Sequence, residues 1–171
     1  MERWVKEAFS VIGRMGSTAE DPQIVPILWK VANKRFPEVE ALAKRNPDGS
    51  LAGMWGCMSD LSRAFRPWEE NFTKGLYLAG VECRSDAQPP SGWTRWDVPA
   101  FEYIRVETDG PDTFRRTLDW MRDQAIPLVA AVQDYTDPAT GKSYMCFPVK
   151  KLDYLATAPK KPDSHTKEET R

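Results

Sequence analysis

Gly75-Leu76-Tyr77-Leu78-Ala79-Gly80-Val81-Glu82-Cys83-Arg84 is the stretch whose reading decides the fold. It is apolar and β-tolerant, bounded by Lys74-Gly75 before and Ser85-Asp86 after, and so predicts a strand. Alternation puts Tyr77, Ala79, Val81 and Cys83 on one face and Leu78, Gly80 and Glu82 on the other. The first face reads as core. The second carries a carboxylate in an apolar run, behind a glycine expected to leave room in front of the backbone. Such an acid is costly unless it meets a cavity, a partner or solvent. It is either a solvated strand end or the floor of a pocket, and the surrounding aromatics favour the pocket.

Outward from this strand, the pattern continues on both sides. Phe9 to Gly16 reads as a strand, and Asp21-Pro22 opens a helix with a stripe of Ile24, Leu28, Val31 and Ala32. Pro37 ends it, and Val39, Leu42 and Ala43 suggest a short second helix. Leu51 to Ser59 is the next strand, followed by a long loop over 60–74 that still holds Phe65, Trp68 and Phe72. Beyond the opening stretch come strands over 93–98 and 101–108. A helix follows from Gly110-Pro111, with Phe114, Leu118, Met121 and Ala125 on one face and Pro127 as its stop. Leu128 to Tyr135 and Tyr144 to Val149 read as strands joined through Asp137-Pro138-Ala139-Thr140-Gly141-Lys142. Strand, helix, strand, strand therefore occurs twice, across 9–84 and 101–149. The fold class expected is α+β: two pseudo-symmetric modules forming one antiparallel sheet with helices on one face, the other face being either covered or a binding surface. The domain is expected over 1–155, with a disordered polar tail over 156–171.

Composition narrows the chemistry. The 171 residues carry 24 Lys and Arg against 25 Asp and Glu, a net charge of −1 with no basic stripe, so direct nucleic-acid binding is not expected. No apolar run reaches the ~20 residues of a membrane span, and Met1 to Lys6 has no signal-peptide core, which points to a cytoplasmic protein. Cys57, Cys83 and Cys146 are odd in number, lack metal-binding spacing and read as buried free thiols. The single histidine, His165, lies in the polar tail. Histidine-based nucleophilic catalysis and histidine metal ligation are thus disfavoured, and neither metal nor cofactor is expected.

Four segments carry a family resemblance. Ile27 to Asn33, Gly53 to Asp60, Arg66 to Phe72, and Gly75 to Glu82 with its Tyr-x-x-Gly-x-Glu core resemble GyrI-like proteins. That family includes the effector-binding domains of AraC- and MerR-type regulators. The resemblance implies a ligand cleft between two modules, on the sheet face away from the helices, with the glutamate matching Glu82 inside it. Some stand-alone members are cyclopropanoid cyclopropyl hydrolases that open duocarmycin-type DNA alkylators in an aromatic cage. The expected function is accordingly binding of a flat, hydrophobic aromatic small molecule, such as an antibiotic or other xenobiotic, with detoxifying hydrolysis. In that scheme Glu82 is the general base and Tyr103, or an indole N–H, steadies the developing oxyanion. Trp55, Trp68, Phe72, Trp93, Trp96 and Tyr144 are the expected ligand contacts. Sequestration without turnover, ligand sensing, or shielding of a protein such as DNA gyrase are the alternatives.

Overall fold

The computed structural model describes residues 1–153; the tail and His165 lie outside them. Eight strands form one antiparallel sheet: β1 (Glu2–Lys6), β2 (Phe9–Ser17), β3 (Met54–Ser59), β4 (Leu76–Cys83), β5 (Thr94–Val98), β6 (Phe101–Glu107), β7 (Gln133–Thr136) and β8 (Ser143–Lys151). The helices are α1 (Ile24–Lys34), the single turn α2 (Glu69–Phe72) and α3 (Thr113–Asp123), with two 3₁₀ turns over Phe36–Glu38 and Glu40–Leu42 in place of the expected short second helix. None is long and apolar enough to cross a membrane.

The strand order is β1-β6-β8-β7-β3-β4-β2-β5. The two modules are β2-α1-β3-β4 and β6-α3-β7-β8, joined by β3 against β7, where Trp55 opposes Tyr135 and Gly56 opposes Asp134. This is the repeat expected from the sequence. The arms are exchanged: β1 precedes the first module but pairs with β6 of the second, and β5 precedes the second but pairs with β2 of the first.

That exchange forces the sheet to roll. In a flat sheet the first and seventh strands lie about 29 Å apart at ~4.8 Å per strand. Yet Lys6 ends β1 and Phe9 begins β2, and three residue steps reach only about 11 Å. The Val98–Phe101 link between β5 and β6 imposes the same closure on the other pair.

The concave face therefore packs on itself. Val11, Trp55, Cys57, Leu78, Trp96, Tyr103 and Cys146 form one buried cluster there. The convex face carries the helices. Leu28 and Ala32 of α1 cover Ile12, Tyr77, Ala79 and Val81, while Met121 of α3 covers Ile104, Phe147 and Val149. The expected sides of β4 hold, but the open cleft expected on the far face is largely filled by the protein's own side chains. Gly80 likewise leaves no room for a ligand: a Cβ there would overlap the backbone of Ile12 and Gly13, since β2 and β4 approach closely at the Gly13–Gly80 pair.

β7 is shorter than expected. Leu128 to Val132 is irregular, tied by Val129 N–H donating to the Pro148 carbonyl at 2.9 Å and Ala131 N–H to that of Phe65 at 2.7 Å. α3 ends before Ala125, which adopts φ +54°, while Ile126 N–H donates to the Met121 carbonyl at 2.8 Å. The stop is this left-handed residue rather than Pro127. All three cysteines are buried free thiols.

Candidate ligand groove

Two regions of the molecule bring acids and aromatics together. The first is the Glu82 end of the concave face. The Glu82 side chain is 3% exposed, and both of its oxygens are engaged. Lys6 Nζ donates to Oε1 at 3.1 Å and Trp55 Nε1–H to Oε2 at 3.2 Å, with Lys44 Nζ 3.9 Å away. A cavity of about 580 Å³ opens beside it, lined by Phe9, Lys44, Glu82 and Val98 among others. Tyr103 lies deeper, fully buried, with no hydrogen-bond partner for its hydroxyl among the described residues. Burial pushes that phenol far above its ordinary pKa. As arranged, Glu82 is an ion-paired structural acid.

The second region is a groove on the convex face between α1 and α3. Its floor is β3, β7 and β8, where the two modules meet. Met58, Val132, Asp134 and Met145 line a cavity of about 200 Å³ with Phe114 of α3; Pro67, Trp68 and Phe72 close it from above. A neighbouring cavity of about 260 Å³ shares Asp134 and Met145 and is bounded by Trp29, Tyr77 and Tyr144. Either is small for a drug-sized ligand, but together they fall within the ~300–1,000 Å³ usual for one.

A relay of hydrogen bonds fixes the acid at the junction. Trp29 Nε1–H of α1 donates to Tyr77 Oη at 2.9 Å, and the Tyr77 hydroxyl donates to Asp134 Oδ2 at 3.2 Å. Tyr77 reaches Asp134 from β4 across β3 because residue 56 is glycine. A Cβ at Gly56 would overlap the Tyr77 hydroxyl and come within 3.2 Å of Asp134 Cβ. Burial raises the Asp134 carboxyl to about 6, against the lowering effect of the Tyr77 hydrogen bond. The residues lining the two cavities include no Lys or Arg. Among the described residues, Asp134 is thus an acid without a cation, set among aromatic faces and thioethers.

The roof is held by Asp60. Asp60 is 1% exposed and accepts from the backbone N–H of Ala64 and of Arg66, the Ser62 hydroxyl and the Arg66 guanidinium. Burial pushes its carboxyl up, but hydrogen bonds from Ser62, Arg66 and Ala64 outweigh this and hold it well below the ordinary range. The chain then crosses to α2, where Glu70, Asn71 and Phe72 take φ of +51°, +56° and +61°. This left-handed turn places Phe72 edge-on to Phe114, ring centroids 5.2 Å apart.

The expected site residues therefore divide among three places. Trp68 and Phe72 roof the groove, and Tyr144 borders its second cavity. Glu82, Tyr103, Trp55 and Trp96 belong to the concave face. Trp93 belongs to neither: it packs in the α1 core, with the Arg14 guanidinium over its ring at 4.6 Å and its indole N–H donating to Glu38 at 3.1 Å. A single cage of all these residues does not form, because alternate residues of a strand face opposite sides of the sheet. Sequence reasoning passed over Asp134, Tyr77, Trp29 and Phe114 as site residues. The available signal was Asp134 itself, an acid in a predicted strand over 128–135.

No protein-family model matches the chain, and no curated protein sequence matches it. Solved structures do. SAV2435 bound to tetraphenylphosphonium superposes with a TM-score of 0.58 at 14% identity, covering 87% of this chain and 93% of that one. The C-terminal domain of EcmrR gives 0.52 at 14% identity, covering 88% and 98%. In the EcmrR–DNA complex the likeness, 0.52 at 15% identity, covers 88% of this chain but 58% of that one. These likenesses support the GyrI-like fold.

Proposed function

We propose that this protein binds lipophilic organic cations bearing aromatic rings in the groove between α1 and α3. Asp134 supplies the opposing charge and Trp68, Phe72 and Phe114 the walls. The observation that carries this reading is the Asp134 carboxyl, partly buried, held on one oxygen by Tyr77 and unpaired with any cation among the described residues. Ring faces attract cations by ~0.5–2 kcal/mol each, and Met58 and Met145 give a polarisable, adaptable floor. The tetraphenylphosphonium bound by SAV2435 supports the same ligand class. A lipophilic cation suits the site better than a small hydrated one, because the first cavity is lined by a single acid and otherwise by apolar and aromatic side chains.

The test is calorimetric titration with tetraphenylphosphonium, with neutral triphenylphosphine oxide as control. Saturable binding of the cation is expected, weakened at least tenfold by Asp134→Asn, as loss of one charge-assisted contact implies (~1.4 kcal/mol per tenfold). Equal binding of both compounds would remove the reading.

Hydrolysis of a cyclopropane-bearing aromatic is the finer activity implied by the family resemblance. It requires Glu82 to lose Lys6 before acting as a base. A product of changed mass after incubation supports turnover, whereas ligand recovered intact supports sequestration. A pull-down of gyrase that needs no ligand supports the shielding role.

A further inference from the structure

The groove between α1 and α3 is graded along its own floor. Asp134 and Thr136 are alternate residues of β7, and Val132 lies two residues before Asp134. On β8, Met145 stands opposite Asp134 and Ser143 opposite Thr136. Alternate residues of a strand share a face and lie about 7 Å apart. An apolar level, an acid level and a hydroxyl level therefore follow one another. Met58, Val132 and Phe114 make the first, beneath Trp68 and Phe72. Thr108, Thr136 and Ser143 make the last, in the neighbouring cavity. Asp134 lines both cavities. Thr108 and Ser143 are exposed and Thr136 half-buried, so the hydroxyl level is the mouth and the apolar level the interior. At the acid level the donors are already spent: the Trp29 indole N–H donates to Tyr77, and the Tyr77 hydroxyl to Asp134 Oδ2. At the mouth they are not. Thr136 Oγ1 and Ser143 Oγ lie 3.0 Å apart and share one hydrogen bond. A hydroxyl has one donor and two acceptor sites, so the pair can still give a hydrogen bond and accept others.

Resting on the reading of this groove as a cation site, we infer that its ligands are amphiphilic amines bound in one direction. An aryl group enters first and fills the inner cavity, a protonated nitrogen stops at Asp134, and a short chain ending in a hydroxyl meets Thr136 and Ser143 at the mouth. The opposite direction would bury the hydroxyl among Val132, Phe72 and Phe114, which offer it no side-chain partner. A symmetric lipophilic cation uses the apolar and acid levels and leaves the hydroxyl level to water. The selectivity is thus for an amino alcohol over an alkylamine of the same shape. One hydrogen bond of this kind corresponds to about two- to tenfold in affinity.

The experiment is calorimetric titration of the full chain with 3-(1-naphthylmethylamino)propan-1-ol and with its isostere N-(1-naphthylmethyl)butan-1-amine, which has a methyl in place of the hydroxyl. The alcohol is expected to bind about two- to tenfold tighter, although the butyl compound is the more hydrophobic. Thr136→Val combined with Ser143→Ala should abolish that preference by weakening the alcohol alone. Ser143→Ala by itself, at an exposed position, should already reduce it, so the test does not depend on the double variant folding. Asp134→Asn should weaken both compounds at least tenfold. Equal binding, or tighter binding of the butyl compound, with both still dependent on Asp134, would overturn the directional inference while the cation groove stands. A preference for the alcohol that survives loss of the two hydroxyls would overturn it as well. Binding of neither compound, or binding indifferent to Asp134→Asn, would remove the groove reading itself and this inference with it.

Discussion

At the scale of single residues, three side-chain positions decide what the two faces can do. Asp134 is held protonated to higher pH in the fold than in the unfolded chain, about 6 against 3.8. The folded state therefore binds the extra proton between these values, and stability falls as pH rises through that window, then levels. Asp134→Asn should remove that slope and raise stability above pH 6 by about 1–2 kcal/mol, as a two-unit shift discounted for partial exposure implies, while cation binding weakens at least tenfold. Parallel denaturant unfolding at pH 4.5 and 7.5 reads the first effect, and the titration above reads the second. In the unaltered protein, tetraphenylphosphonium affinity should climb as pH passes about 6 and then plateau. Substitution of Glu82 should instead destabilise the protein. Glu82→Gln leaves Lys6 without its partner, and since that lysine side chain is 20% exposed the expected loss is about 1–3 kcal/mol, below that of a fully buried pair. Gly56→Ala should cost a similar ~1–3 kcal/mol by overpacking and, by pushing the Tyr77 hydroxyl off Asp134, raise the pH at which cation affinity reaches half its plateau, because that hydrogen bond holds the carboxyl down; a binding curve unchanged in both affinity and midpoint would show that the Trp29–Tyr77 relay does not orient the acid.

Among the elements, those with strong internal patterns were legible. The alternation of 75–84 and of 101–108 and the α1 stripe all express local physics, and all appear. β1 was not legible. Glu2, Arg3 and Val5 are what an edge strand shows to solvent, and Trp4 among them has no local reason to point inward. Which face of β4 stays open was also hidden, because the roll of the sheet follows from the exchanged arms, a matter of pairing across nearly a hundred residues. Asp134 escaped notice because its desolvation comes from α1, α3 and the α2 roof, none adjacent in sequence. The end of α3 offers a direct test of local reading. Ala125 is left-handed and non-glycine, a conformation costing an L-residue roughly 1–2 kcal/mol. Ala125→Gly should therefore stabilise the protein by about 0.5–1 kcal/mol, after allowing for glycine's greater freedom when unfolded. A rise in urea midpoint at constant slope is the expected measurement, and a fall would mean that the Ala125 methyl contributes packing.

For the whole molecule, the exchanged arms make the two modules inseparable. β1 closes the second module but is covalently continuous with the first, and β5 does the reverse. The β3–β7 pairing adds a ladder between them, and the concave core draws on both, with Val11, Trp55 and Leu78 from one side and Tyr103 and Cys146 from the other. Neither module can lose its sheet without stripping an arm and half the core from its twin. Unfolding should consequently be a single transition, with tryptophan emission and far-ultraviolet dichroism superimposing, even though the sequence repeats its pattern twice. The discriminating variant lies far from the seam. Phe147 is fully buried beneath α3 in the second module's own cluster. Phe147→Ala removes a large core side chain and should cost about 3–5 kcal/mol. If the modules are coupled as the arms require, that loss shifts the entire transition, and the Trp29 and Trp93 environments of the first module melt together with the second. If instead the first module keeps its emission and melts separately at a higher denaturant concentration, the exchanged arms do not couple the halves, and the two modules are independent folding units sharing one sheet.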